Sequence, residues 1–148
     1  MADARVELPL LAKRLKAAGQ VGVRREMVKS LKLAAKPLIP DIQASAREAL
    51  PKRGGMNAYM AAKRPRVSVR TGARTAGVSI QYKGKGAPSD TGEWRHPVFG
   101  HKDRWAVTKF PAAQGWYERG AEKGTPAAKA AMDAVLVAVA AQVRGMGL

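Results

Sequence analysis

Apolar residues in the first third of the chain recur every three or four positions, the period of a helix. Leu11 and Leu15 stand four apart within Leu8 to Ala18, with Lys13, Arg14 and Lys16 around them, and Gly19 closes the segment as a residue at ease with positive φ. Val21 and Gly22 read as a short joint. From about Val23 to Lys36 the apolar positions are Val23, Met27, Leu31, Ala34 and Leu38, and the basic positions are Arg25, Lys29, Lys32 and Lys36. The two sets are offset by two residues, which puts them on roughly opposite faces of an amphipathic helix. Pro37 and Pro40 break or kink it, and Asp41 is a candidate N-cap for a further stretch, Ile42 to Leu50, ending before Pro51. A mild kink would make Val23 to Leu50 one long bent helix.

The pattern changes at residue 51. Residues 51–65 read as a basic loop, with Pro51, Gly54, Gly55 and Pro65 among Lys52, Arg53, Lys63 and Arg64. Its Met56, Tyr59 and Met60 either insert against a neighbouring molecule or fold back on the chain's own core. From Arg66 the period drops to two. Val67 and Val69 alternate with Arg66, Ser68 and Arg70; Val78, Ile80 and Tyr82 alternate with Ser79, Gln81 and Lys83; Gly72 to Gly77 makes the turn of an antiparallel hairpin. A polar loop spans Gly84 to Gly92. Two more short strands are expected near Trp94 to Phe99 and Arg104 to Lys109, with Gly100 and His101 to Asp103 turning between them. The last element is a helix: Thr125 as N-cap, Pro126 at the first position, then Ala127 to Val143. Its stripe is Met132, Val135, Leu136, Val139 and Val143; the opposite side is mostly Ala, with Lys129 and Asp133, and suits close packing in the core or against another subunit.

These elements predict an α+β fold in a single domain over 1–148, with long N-terminal helices and a C-terminal helix packed on a small antiparallel sheet of about four strands. Residues 8–50 are helical, 51–65 form the basic loop, 66–110 the strands and 125–143 the C-terminal helix. A chain of 148 residues buries enough surface for a real core. Only 5% of residues are aromatic, so that core is built mainly from Ala, Val and Leu.

Charge changes the picture most. Lys and Arg number 27 against 11 Asp and Glu, a net +16, so the chain is drawn to polyanions. Residues 47–74 and 13–36 each carry eight basic residues against one acidic. The stripe Arg25, Lys29, Lys32, Lys36 reads as contact with phosphates or an acidic partner, or as a solvated helix face. With no cysteine, disulfides, thiol catalysis and Cys-based zinc sites are excluded. No apolar run reaches the roughly 18 residues of a membrane span, Ala134 to Ala141 being the longest, and no membrane partner is expected. Met1 to Glu7 carries acids and no apolar core, so no signal peptide is expected.

Catalytic constellations are not evident. His96 and His101 have only Glu93 and Asp103 as acidic neighbours, too few for a metal site. Gly84-Lys85-Gly86 lacks the phosphate-loop spacing, and no serine sits in a Gly-flanked strand-to-helix turn. Neither enzyme activity, nor a cofactor, nor a metal is expected. Five of the eight aromatics fall between Trp94 and Trp116. They are either stacking platforms for a single strand or the anchors of an aromatic-poor core.

One stretch carries a resemblance. Arg95-His96-Pro97-Val98-Phe99-Gly100, followed by Trp105, then Pro111 and Gly115-Trp116-Tyr117, resembles the small tail-component proteins of long-tailed bacteriophages, the head–tail joining or tail-completion family, in its actinobacteriophage version. Leu50-Pro51-Lys52 with Gly54-Gly55 after a basic helix, and the closing Ala/Val-rich helix, are similar too. The resemblance covers about residues 8 to 143 and departs from the pattern at His101 and Glu93-Trp94. It implies a non-catalytic virion protein of the neck: a homo-oligomeric ring, a hexamer matching the sixfold tail or a portal-matched dodecamer, assembled in the host bacterial cytoplasm. Its partners would be copies of itself and the adjacent neck and tail-tube proteins, with DNA in transit through the lumen. Lys52, Arg53, Lys63 and Arg64 would then face the lumen or the adjoining ring. Two other readings share the charge: a basic, non-catalytic nucleic-acid-binding protein, which binds with steep salt dependence, and a small toxin-like nuclease, for which no His and acid pair is visible.

Overall fold

Gly19 does what its position predicts. At φ +69° it ends the first helix, and the amides of Gly19 and Gln20 donate back to Lys16 and Leu15 carbonyls at 3.1 and 2.8 Å. The computed structural model describes residues 4–72, 74, 76–82, 90–98 and 100–147. Its elements are α1 (Ala4–Ala17), α2 (Val21–Ala35), α3 (Leu38–Ala49), α4 (Met56–Ala62), β1 (Arg66–Arg70), β2 (Gly77–Gln81), β3 (Glu93–Val98), β4 (His101–Lys109), a 3-10 turn at Pro111–Ala113, and α5 (Trp116–Gly145).

The fold is α+β. Several boundaries differ from the sequence reading for local reasons. Gly19 and Gln20 alone reverse the chain, so Val21 and Gly22 form the first turn of α2 instead of a joint. Pro40 lies in the first turn of α3, where a missing N–H leaves no bond unmade, so Asp41 sits inside that turn and does not cap it. The 51–65 segment is not all loop: α4 interrupts it and buries Met60 and Ala61, the core alternative for these apolar residues, while Tyr59 stays exposed.

Both hairpins form. β1 and β2 pair antiparallel from Arg66↔Gln81 to Arg70↔Gly77, and the Ser68 and Ser79 hydroxyls meet across them at 2.8 Å. β3 and β4 pair from Glu93↔Lys109 to Pro97↔Trp105, with a register shift before Val98↔His101. The second turn is shorter than expected, since His101 to Asp103 belong to β4. Most of the expected Gly84 to Gly92 loop lies outside the described residues. The expectation of one four-stranded sheet is corrected: the strands form two separate two-stranded sheets. Alternation and turn chemistry specify each local hairpin and carry no instruction to merge two of them.

The chain divides into two compact units: residues 1–37, 66–81 and 125–148, and residues 38–65 and 82–124. The first is built on Leu8, Leu11 and Leu15 of α1, Met27 and Leu31 of α2, and Leu136, Val139 and Val143 of α5, with Val69 and Val78 packed against them. The second buries Ile42, Ala46, Leu50, Met60, Ala113 and Trp116.

The C-terminal helix is the largest correction. It starts at Trp116, and Thr125 and Pro126 lie inside it. Its start is fixed by a residue distant in sequence: Asp90 accepts the Gly115 amide on its carbonyl at 2.7 Å and the Tyr117 amide on Oδ1 at 2.8 Å. Pro126 then forfeits only the bond to the Glu122 carbonyl. By length and composition the stretch Pro111–Gly145 is apolar enough to cross a membrane. Its Leu136, Val139 and Val143, from the predicted stripe, are buried in the first core, and its Ala130, Ala134, Val137 and Ala141 face solvent.

Candidate interaction surfaces

The Arg95-to-Gly100 string lies on the β3–β4 hairpin. Arg95, His96, Pro97 and Val98 are in β3, Gly100 turns at φ +82°, and Phe99 lies outside the described residues. Because side chains alternate along a strand, Glu93, Arg95, Trp105, Val107 and Lys109 share one face. That face is open to solvent: Trp105 is 57% exposed and Val107 51%. Glu93 and Lys109 close one end of it with an ion pair at 3.2 Å. The other face carries Trp94, whose ring meets Phe110 edge-on at 4.9 Å.

Trp116 belongs elsewhere in the same unit. It is 2% exposed and edge-packed on Tyr82 and Tyr117, each at 5.8 Å. The aromatics therefore split: Trp94, Phe110 and Trp116 are anchors of the second unit, and among the described residues of this group Trp105 alone presents a bare ring. Among the described residues the Nε1 atoms of Trp94 and Trp116 and the Tyr82 hydroxyl make no hydrogen bond. Burial, and then the charge of a neighbouring ionised Tyr117, push the Tyr82 hydroxyl up to about 12. Burial, followed by the Asp90 carboxylate, raises that of Tyr117. Both are neutral phenols at physiological pH and offer no base. Among the described residues no three His, Asp or Glu side chains converge on one point.

The predicted basic residues fall into two groups. Lys52, Arg53 and Arg64 are exposed at the two ends of α4, and Lys63 sits half-buried with its ammonium 4.5 Å from the centre of the Tyr59 ring. The second group, Arg25, Lys29, Lys32 and Lys36, is exposed on the side of α2 away from buried Met27, Leu31 and Ala35. Glu26 approaches Lys29 at 3.9 Å, an exposed pair worth little.

Sequence reasoning missed what shares that second face. Val21 and Val28, seven residues apart, lie in line along one flank of the cations and exposed Leu33 lies on the other flank; Arg24 stands beside Val21 and Val28, its guanidinium donating to Thr71 Oγ1 at 3.2 Å. The signal was weak, since these three apolar positions are spaced seven and five apart and form no stripe of their own beside the core stripe of the same helix. No known family, curated protein or solved structure matches the chain.

Proposed function

We propose that this chain is a non-catalytic structural protein of the neck of a long-tailed bacteriophage, one copy of a closed ring that joins the DNA-filled head to the tail. The observation that carries the reading is the β3–β4 hairpin. Of the string on which the resemblance rests, Arg95 to Val98 and the following Trp105 lie in one hairpin, and its outer face leaves an indole and a valine half in water. Trp105 and Val107, side by side among Glu93, Arg95 and Lys109, offer a neighbouring molecule an aromatic anchor ringed by charge. In a ring each copy binds its neighbour through two different patches, and closure leaves none unpaired. The outer edges of the β1–β2 hairpin and the alanine-rich solvent face of α5 are further surfaces a neighbour would cover.

In this reading the ring is a hexamer or a dodecamer, DNA passes through its lumen, and its partners are the adjoining neck and tail-tube proteins. Its place is the virion, after assembly in the host bacterium. No bound cofactor or metal is required. Lys52, Arg53, Lys63 and Arg64 face the lumen or the adjoining ring, and the tool of joining is surface complementarity, not chemistry. Sequencing the genes on either side tests it. Portal and capsid genes on one side with tail-tube genes on the other are expected; a ribosomal or replication neighbourhood overturns it.

The second reading is a basic nucleic-acid-binding protein, favoured by the exposed cations of α2. It predicts that the logarithm of DNA affinity falls steeply and linearly with the logarithm of salt concentration.

A further inference from the structure

We propose that the outward face of α2, with the parts of α1 and β1 that border it, is a docking groove for an acidic amphipathic helix of a partner protein. Three shallow depressions line up in the first unit. One of about 380 Å³ includes Leu10, Lys13, Lys16, Arg24 and Thr71; the next, about 480 Å³, includes Val21, Arg24, Arg25, Val28 and Thr71. The last, about 340 Å³, includes Arg25, Val28, Lys29, Lys32, Leu33 and Lys36. Arg24 and Thr71 border the first two and Arg25 and Val28 the last two, so the three depressions adjoin one another on the outward side of α2.

Its chemistry is double. Lys13 and Lys16 from α1, four cations from α2 and Lys36 just after it line the three depressions, and among the described residues no carboxylate does. Between them Leu10 is 52% exposed, Val21 54% and Leu33 51%. The cations demand an anionic partner. The aliphatics decide which kind. A duplex presents phosphates and sugars to a docking surface and reads sequence at base edges, so it gives Leu10, Val21 and Leu33 nothing to bury against. A helix with acids on its flanks and leucines on one stripe satisfies both sets at once, the helix-in-groove mode of recognition with complementary charge. The length fits as well: the 15 residues of α2 extend about 22 Å, four turns of a partner helix. The groove is partly preorganised, because Thr71 holds the Arg24 guanidinium at 3.2 Å. This proposal does not rest on the neck reading; gene order can refute that reading without touching peptide affinity.

The test uses the full chain and four labelled probes: a peptide of about 16 residues built from Glu, Ala and Leu with leucines every third or fourth position, the same composition shuffled so the leucines circle the helix, a short DNA duplex, and vesicles of phosphatidylcholine with phosphatidylglycerol. The patterned peptide is expected to bind at least about tenfold tighter than the shuffled one. Leu33→Ser and Leu10→Ser together should erase that margin, and Lys29→Glu with Lys32→Glu should weaken both peptides. These side chains are exposed, and circular dichroism checks that the variants keep their helix content. Equal binding of the two peptides, or none by either, overturns the proposal. So does tighter binding of the duplex that ignores Leu33→Ser, which makes the groove a phosphate surface, or tighter binding of the vesicles that depends on Leu33, which makes it a membrane surface.

Discussion

Gly120 shows how little room the second unit leaves between α3 and α5. A Cβ there would lie 2.7 Å from Ile42 Cα and 3.0 Å from the Asp41 carbonyl oxygen, and one at Gly124 would lie 2.8 Å from Leu38 Cδ2. Backbone atoms cannot step aside as a side-chain tip can. Gly120→Ala should therefore destabilise the protein by about 1–3 kcal/mol, the range for overpacking a filled site. Gly22 gives the opposite sign: nothing lies within 4 Å of its Cβ position in α2, so Gly22→Ala should stabilise by up to about 1 kcal/mol. Urea midpoints of the two variants check both signs. Tyr82 makes folding sensitive to alkali. Its hydroxyl is raised from 10.0 to about 12 in the folded chain, so between those values the folded state holds a proton that the unfolded state has lost. Stability from this group is fully present below pH 10 and declines as pH climbs toward 12. A pH series of urea midpoints should fall across that window, and Tyr82→Phe should flatten the fall.

At the scale of elements, the sequence was legible wherever the cause of an element is local. The β1–β2 hairpin is written in five alternating residues on each side of a glycine-bounded turn, and its register follows. The buried stripe of α2 is written in its period. The start of α5 was not legible, because the residue that fixes it, Asp90, is 27 positions from the amide it accepts. Thr125 and Pro126 form a good local start signal that tertiary context overrides. α4 was hidden for another reason: its Ala and Met residues favour a helix, but the Pro and Gly residues flanking this short segment read as loop, and the burial of Met60 secures it. Two substitutions separate the two possible starts. With the helix running from Trp116, Asp90→Ala should cost about 1 kcal/mol as a lost cap, and Pro126→Ala should stabilise by up to about 3 kcal/mol as a restored helix bond. A helix that began at Thr125 would reverse the pattern, with Asp90→Ala neutral and Pro126→Ala giving nothing. Thermal melts with chemical denaturation of both variants decide it.

At the scale of the whole molecule, sequence supplied the charge, the motif and the basic face of α2, but not the face that Trp105 occupies. The spacing of Trp105 from Gly100 gave no sign that Trp105 would point outward while Trp94 packs on Phe110; the strand register decides that, through the shift after Pro97. The register also makes the ring reading specific enough to fail. Trp105 and Val107 lie outside the buried core, being 57% and 51% exposed, so replacing both with Ser should leave the stability of the unassembled chain, read from its urea midpoint, within about 1 kcal/mol. If a neighbouring copy covers that face, the same pair should abolish assembly, because buried aromatic anchors dominate interfaces of this kind. Light scattering on a size-exclusion column, run at concentrations where the unmodified chain assembles, reads the mass directly. A change in stability without a change in mass would return Trp105 to the fold of its own unit and remove the hairpin from the interface. Loss of the oligomer at unchanged stability would assign the face to a neighbour, and Arg95→Glu on the same face should then weaken assembly while leaving the melt of the separate chain where it was.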